Sequence, residues 1–285
     1  MVVSFCREVL EIELSVGEIC QIEQTVTKAV APAVEEAAVD VQSCDLNIDE
    51  TTWKERRKRH TLWTLVTTQL SVFTIVTGRG AAVLQQLVGE WYSGTITSDR
   101  AKAYDSQPLR RRQLCWAHLM RDFQAMIDRG GPGQAVGFAL LEHAHVLFAW
   151  WHWVRDGTWK RSTFQSHVCT LRASFKMELE GDTQNACPKT AATCRELLLR
   201  EAALWTFVRV EGIAPTNNAA ERSLRGAVLW RKVSFGTQSE SGSRFVASML
   251  TVLMSCQQQH RNALSYLTAC CQAFSAHRPV PSLVP

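Results

Sequence analysis

The chain has 285 residues, 46% of them apolar and 20% charged, with a net charge of +4. That composition excludes a disordered or fibrous protein and is enough for one large or two small globular domains. A net charge this small does not by itself make a nucleic-acid binder, so the distribution of charge has to carry that question. Ten cysteines occur at irregular spacing, none in a C-x-x-C pair, and no signal peptide is visible. Reduced thiols in the cytoplasm are therefore expected, not a disulfide framework. No apolar run approaches the roughly 20 residues of a membrane span, so no membrane partner is expected. "AHVLFAWWHWV" is apolar but short, and His143, His145 and His152 interrupt or flank it.

The chain opens on helical pattern. Leu14, Val16, Ile19 and Ile22 fall at helical spacing, Ser15 is placed to cap, and Pro32 is expected to break or restart the helix. A beginning of this kind reads as the middle of a larger protein, so an N-terminal truncation is expected. "CDLNIDETTW" alternates: Leu46 and Ile48 point to one face, Asp45, Asn47 and Asp49 to the other, and Glu50 away from Asp49. "HTLWTLVTTQ" and "LSVFTIVTG" follow, rich in β-branched and aromatic residues, and the three segments read as an antiparallel meander. "GRGAAVLQQLVGEW" reads as a helix, "GTITSD" as a short strand ending at Asp99, and "RRQLCWAH" as a fifth strand running into the helix "AHLMRDFQAMIDRG". After "GGPG", residues from about Gln134 to Trp205 are helical, with "GDTQNACPKT" as one loop. The helix of "TNNAAERSLRG" and two amphipathic helices close the chain, and the tail "HRPVPSLVP" is expected to be disordered.

Three strands, a helix, two strands, a helical block and closing helices are the order of a ribonuclease-H-like α/β (α+β) fold. Its mixed sheet is flanked by helices, with an all-helical insertion before the last catalytic helix. The expected divisions are 1–44 (N-terminal helical segment), 45–118 (first part of the core), 119–205 (insertion), 206–275 (second part) and 276–285 (tail). Asp49 and Asp99 are read as ending strands one and four, 50 residues apart, and Glu221 lies 122 residues further on. Two-metal phosphoryl transfer needs several carboxylates converging on one point. Magnesium prefers oxygen ligands and keeps waters, so three carboxylates suffice. The spacing allows such a triad without establishing it.

Local rules also explain parts of this pattern. Asn218 at an N-cap with Glu221 three residues later would form a capping box, and Glu221 and Arg225 are placed to pair. Cys115 and His118 have the gap of a zinc half-site, but no second pair completes four ligands, so structural zinc is not expected. "KERRKRH", "RRR" (Arg110 to Arg112) and the run Arg222, Arg225, Arg231 and Lys232 suit a phosphate backbone; solvated charge is the alternative for each. Trp150, Trp151, Trp153, Trp159 and Trp205 read as packing of a helical subdomain. Stacking on a flipped base is the competing role.

The chain resembles the DDE transposases of the insertion-sequence-66 family. The resemblance lies in "DET" at Asp49 to Thr51, "SDRAKAY" at Ser98 to Tyr104, "CWAHLMRDF" at Cys115 to Phe123, and "NNAAERSLR" at Asn217 to Arg225, continued by "RKVSFGTQSESGSRFVASMLTVL". It runs from about Ser4 to Ala273. It implies Asp49, Asp99 and Glu221 as catalytic, metal-binding residues holding two Mg²⁺ (or Mn²⁺) ions. It also implies strand cleavage at transposon ends and joining of the 3′-hydroxyl to target DNA. Cys115, His118, Asn217, Asn218, Arg222, Arg225, Arg231 and Lys232 would support the site or contact DNA. Expected partners are double-stranded DNA (transposon ends and target), further copies of the chain on that DNA, and a separate upstream DNA-binding region or accessory protein. The setting would be a bacterial cytoplasm, on the nucleoid when bound to DNA. An inactive or domesticated DNA-binding fragment, or a nuclease of the same fold, are the alternatives.

Overall fold

The computed structural model describes residues 2–285. It is a mixed α/β fold in which helices flank a mixed sheet of five strands. It divides into two compact units, one joining the residues up to Gly94 with Asn218–Pro285, the other being Thr95–Asn217. The strands expected near residues 96 and 112 thus belong to the same unit as the helical block.

In the first unit, helix α1 spans Val2–Val9 and α2 spans Val16–Asp40. A capping box starts α2: the Glu18 amide donates to Ser15 Oγ at 3.2 Å, and the Ser15 amide to Glu18 Oε2 at 2.7 Å. Contrary to expectation, Pro32 does not break α2. A proline inside a helix costs about 3 kcal/mol through its missing N–H and its steric clash. Here the stripe Thr27, Ala29, Val30, Ala33 and Ala37 is buried on both sides of it. Helices α10 (Glu240–Gln258) and α11 (Ala263–Ser275) pack on α2, so tertiary burial outweighs the local penalty.

The meander is β1 (Leu46–Glu55), β2 (Lys58–Val66) and β3 (Ser71–Val76), antiparallel throughout. Register places Asp49 opposite Thr64, which in turn lies opposite Phe73. Asp49, Thr51 and Trp53 therefore share a face with Leu62 and Phe73. That face is covered by Leu224 and Ala227 of α9 (Asn218–Ser234) and by Val246 and Leu250 of α10. Hydroxyls of α10 close the β3 edge: the Ser71 amide donates to Ser255 Oγ and the Phe73 amide to Thr251 Oγ1, both at 3.0 Å. Helix α3 (Ala81–Val88) follows β3. Glu50 points to the opposite face, as alternation requires, where it is buried and bound to Arg79 at 2.6 Å.

Two arginines make the β1–β2 turn. Arg56 and Arg57 have φ of 48° and 65°, the left-handed pair that a two-residue hairpin loop demands. A second loop clamps this turn. The Thr237 amide donates to the Lys54 carbonyl and the Arg56 amide to the Thr237 carbonyl, both at 2.9 Å. Gly236 (φ 103°) lies so close that a Cβ there would fall 2.1 Å from the Lys54 carbonyl oxygen. The "FGTQSESGSR" stretch is thus the clamp on the hairpin. The tail is packed instead of disordered: Leu283 is buried, and Tyr266 OH donates to the Pro281 carbonyl at 2.9 Å.

In the second unit, β4 (Ile96–Ser98) pairs in parallel with β5 (Arg112–Leu114). Helices α4 (Trp116–Arg129), α5 (Gln134–Arg155), α6 (Arg161–Gly181), α7 (Pro188–Leu199) and the short α8 (Thr206–Arg209) follow. An aromatic knot fills their core: Trp116 meets Trp205 edge-on at 5.2 Å and Phe175 at 5.4 Å, all three buried. The tryptophans accordingly take the packing role. Trp151 sits edge-on to Phe207 at 5.3 Å, while Trp150, Trp153 and Trp159 gather around His167 and one another. Half-buried His143 bonds the Ala139 carbonyl at 2.7 Å.

Candidate active site

In the first unit the site is built from β1 and α9. Asp49 was expected at the end of its strand but is the fourth of ten residues, because β1 stays paired with β2 as far as Glu55. It is half-buried, and its Oδ1 accepts the Glu50 amide at 2.8 Å. Helix α9 lies over β1 and β2 and runs in the direction of β1. Near its start Ser223 Oγ meets Ser71 Oγ at 3.1 Å, on the row Ser71–Val66–Asn47. Near its end Arg231 bonds Thr51 Oγ1 at 2.9 Å and the Thr52 carbonyl.

Glu221, in the first turn, therefore stands at the end of the sheet face where β1 begins. Residues two apart on an α-helix are about 200° apart, so Glu221 projects from the flank opposite Ser223, away from β3. It is half-buried beside the stripe Ala220, Ser223, Leu224 and Ala227. Asp49 and Glu221 thus belong to the same unit, one within β1 and the other on the helix that lies over it. Because α9 starts at Asn218, that residue is the first of the helix, and Glu221 lies one position beyond where a capping box needs it. Arg222, Arg225 and Lys232 are exposed. Arg231 is not a free surface cation but ties α9 to β1.

In the second unit the candidates gather at the carboxyl ends of β4 and β5. Asp99 follows β4 directly, as expected, and its Oδ1 accepts the Ala101 amide at 2.8 Å. Its carbonyl accepts Ser98 Oγ at 3.0 Å and Arg112 Nη2 at 3.4 Å. Cys115 follows β5, its amide donating to the Ser98 carbonyl at 2.9 Å. Buried Asn217 donates its backbone N–H to Cys115 Sγ at 3.1 Å, and the Trp116 amide bonds the Pro215 carbonyl at 2.9 Å. Cys115 is therefore a buried acceptor that fixes the chain just before α9 begins. His118 sits half-buried in the first turn of α4, its amide on the Cys115 carbonyl at 3.1 Å.

An ion-pair network behind Asp99 was invisible in the sequence. Arg112, expected on a phosphate backbone as part of the "RRR" run, is fully buried and bonds Asp105 at 2.9 Å. Arg200 joins Asp105 at 2.8 Å to Glu196 at 3.2 Å, and Arg100 joins Glu196 at 2.9 Å to Asp122 at 2.6 Å. Burial alone would raise the Asp105 pKa, but hydrogen bonds from Arg200 and Arg112 prevail and hold it below the usual value. Burial presses the Arg112 guanidinium downward, against the pull of Asp105. The one available signal was Asp105 itself, seven residues before the last arginine of the run, the one that enters β5.

A mixed sheet flanked by helices, with carboxylates on β1, just after β4 and in the first turn of α9, defines the chain as a mixed α/β protein. The comparisons make the class particular: residues 4–244 match the model of the IS66 family of transposases, and the chain belongs to that family. It is also similar to an uncharacterized protein, y4qI, of Sinorhizobium fredii, with 29% identity over 209 residues. That alignment covers 67% of this chain and 38% of the relative, so the chain spans well under half of that relative's length. No solved structure matches. Among the described residues no helix is long and apolar enough to cross a membrane.

Proposed function

We propose that the chain is the catalytic part of a DNA transposase, cleaving transposon ends and joining their 3′-hydroxyls to target DNA in a bacterial cytoplasm. Asp49, Asp99 and Glu221 would hold two Mg²⁺ or Mn²⁺ ions. The donor set fits such ions: all three are carboxylates, hard oxygen ligands, and each is half-buried instead of sealed in the core. When bound, the ions lower the pKa of the attacking hydroxyl or water and neutralise charge on the phosphoryl oxygens.

The protein's own residues supply position. Asp49 is fixed by its strand and by the Glu50 amide, and Glu221 by a helix laid along that strand. Asp99 is held by its turn and by the ion-paired Arg112. Arg222 and Arg225, exposed on α9 beside Glu221, suit phosphate contacts that orient the strand. DNA ends and target, and further copies of the chain on paired ends, are the partners of this reading.

The observation that carries the proposal is that the helix bearing Glu221 packs on the strand bearing Asp49, in a chain of this family. The test mixes purified protein, pre-cleaved DNA ends and a plasmid with Mg²⁺ or Mn²⁺, beside Glu221→Gln. Joined product that disappears in the variant supports the reading. Hydrolysis without joining would make the chain a nuclease, and no product from folded protein would leave a DNA-binding fragment.

A further inference from the structure

Three features meet at the clamped β1–β2 hairpin. The first is charge. Lys54, Arg56, Arg57, Lys58 and Arg59 crowd the turn, and Lys232 stands exposed at the end of α9. None of these six makes an ion pair among the described residues. The second is an exposed aromatic. Phe235 keeps 79% of its surface in water and lines a groove of about 380 Å³ with Thr51, Thr52, Lys54 and Arg231. The third is backbone conformation. Phe235 has φ 58°, so three of the six left-handed non-glycine residues described, with Arg56 and Arg57, cluster here. Left-handed backbone at such residues is strained, and strain of this kind gathers at working surfaces.

A bulky apolar ring held in water among uncompensated cations fits a ligand that is both flat and anionic. A base inside a duplex offers no free face to such a ring, whereas an unpaired base does, and its flanking phosphates match the cations. We infer that the groove between Phe235 and the β1–β2 hairpin binds a single DNA strand, one unpaired base stacking on Phe235 and the phosphates beside it lying on Lys54, Lys232 and the hairpin arginines. The inference rests on the proposed action on DNA but not on its chemistry. The groove starts two residues along β1 from Asp49, so a strand seated there passes close to that carboxylate. The base-stacking role considered for the tryptophans of the helical block thus falls to Phe235.

The test is fluorescence anisotropy in EDTA with two labelled probes, a blunt duplex and the same duplex carrying a three-nucleotide single-stranded overhang. The wild-type chain should prefer the overhang. Phe235→Ala should lose about tenfold in affinity for the overhang probe and nothing for the blunt one, since removing an aromatic under a base typically costs about 1–3 kcal/mol. Phe235→Trp should keep the preference. Lys54→Ala with Lys232→Ala should weaken both probes and flatten the salt dependence. An exposed ring adds little to folding, so thermal melts of the Phe235 variants should match wild type. Equal overhang binding by Phe235→Ala overturns the inference, as does a change of sedimentation in that variant, which would make the patch a contact between copies. Because no metal is present, an overhang preference without strand transfer would sink the catalytic reading alone. Strand transfer without the preference would sink this inference alone.

Discussion

The two units use arginine and aromatic side chains in opposite ways. Around Asp99, Arg100, Arg112 and Arg200 are committed to carboxylates, and the rings of Trp116, Phe175 and Trp205 are buried against one another. Around the β1–β2 hairpin the cations have no acidic partner, and Phe235 lies open to water. A cation held by a buried or half-buried network builds structure, whereas one left exposed among like charges costs stability and is useful only to an anionic partner. Residue type alone does not distinguish the two uses; surroundings do.

The comparison breaks first if the aromatic knot proves dispensable. Trp205→Ala empties the centre of a core and should cost about 3–5 kcal/mol in urea unfolding. Cys115→Ala is the next largest effect. It leaves the buried Asn217 amide without its acceptor and should cost about 1–3 kcal/mol; an unchanged midpoint would mean that the thiol does not anchor the entry to α9.

The network is sharpened by pH. Asp105 titrates lower in the folded chain than unfolded, so its contribution is complete above the ordinary carboxylate pKa of about 4 and fades as pH falls through the lower folded value. The urea-midpoint gap between wild type and Asp105→Asn should therefore stay constant from about pH 7 to 5 and close in stronger acid. A gap that opens toward acid would reverse the assignment.

The smallest stability effect belongs to the hairpin. Arg57→Ala with Arg59→Ala should change stability by less than about 0.5 kcal/mol. The same double variant should lower the salt slope of DNA binding by roughly 1.4–1.8, the share of two phosphate contacts. Strong destabilisation would place these cations with the structural ones.

Much of the fold was legible because it rests on short-range rules. Period-two alternation from Asp45 to Asp49, the Ser15 cap and the β-branched runs each identify an element without tertiary knowledge. What failed was set by distant contacts. Pro32 stays helical because its flanks are buried, and the tail is ordered because Leu283 finds a core position. Arg112 looks like its two neighbours until β5 carries it inside to meet Asp105. The proposed site was read from the sequence as three acidic residues, Asp49, Asp99 and Glu221. The position of Asp49 inside its strand, the Cys115–Asn217 bond and the exposed ring of Phe235 required the folded chain.

The central claim is that Asp49, Asp99 and Glu221 act as one site. The most direct measurement is Mn²⁺-dependent joining of pre-cleaved ends by Asp49→Asn, Asp99→Asn, Glu221→Gln and the triple variant, each checked for wild-type folding. Residues that act as a unit are strongly non-additive. Each single variant should fall to the same background as the triple. A single variant that retains most of the joining activity would remove its residue from the site and contradict the account.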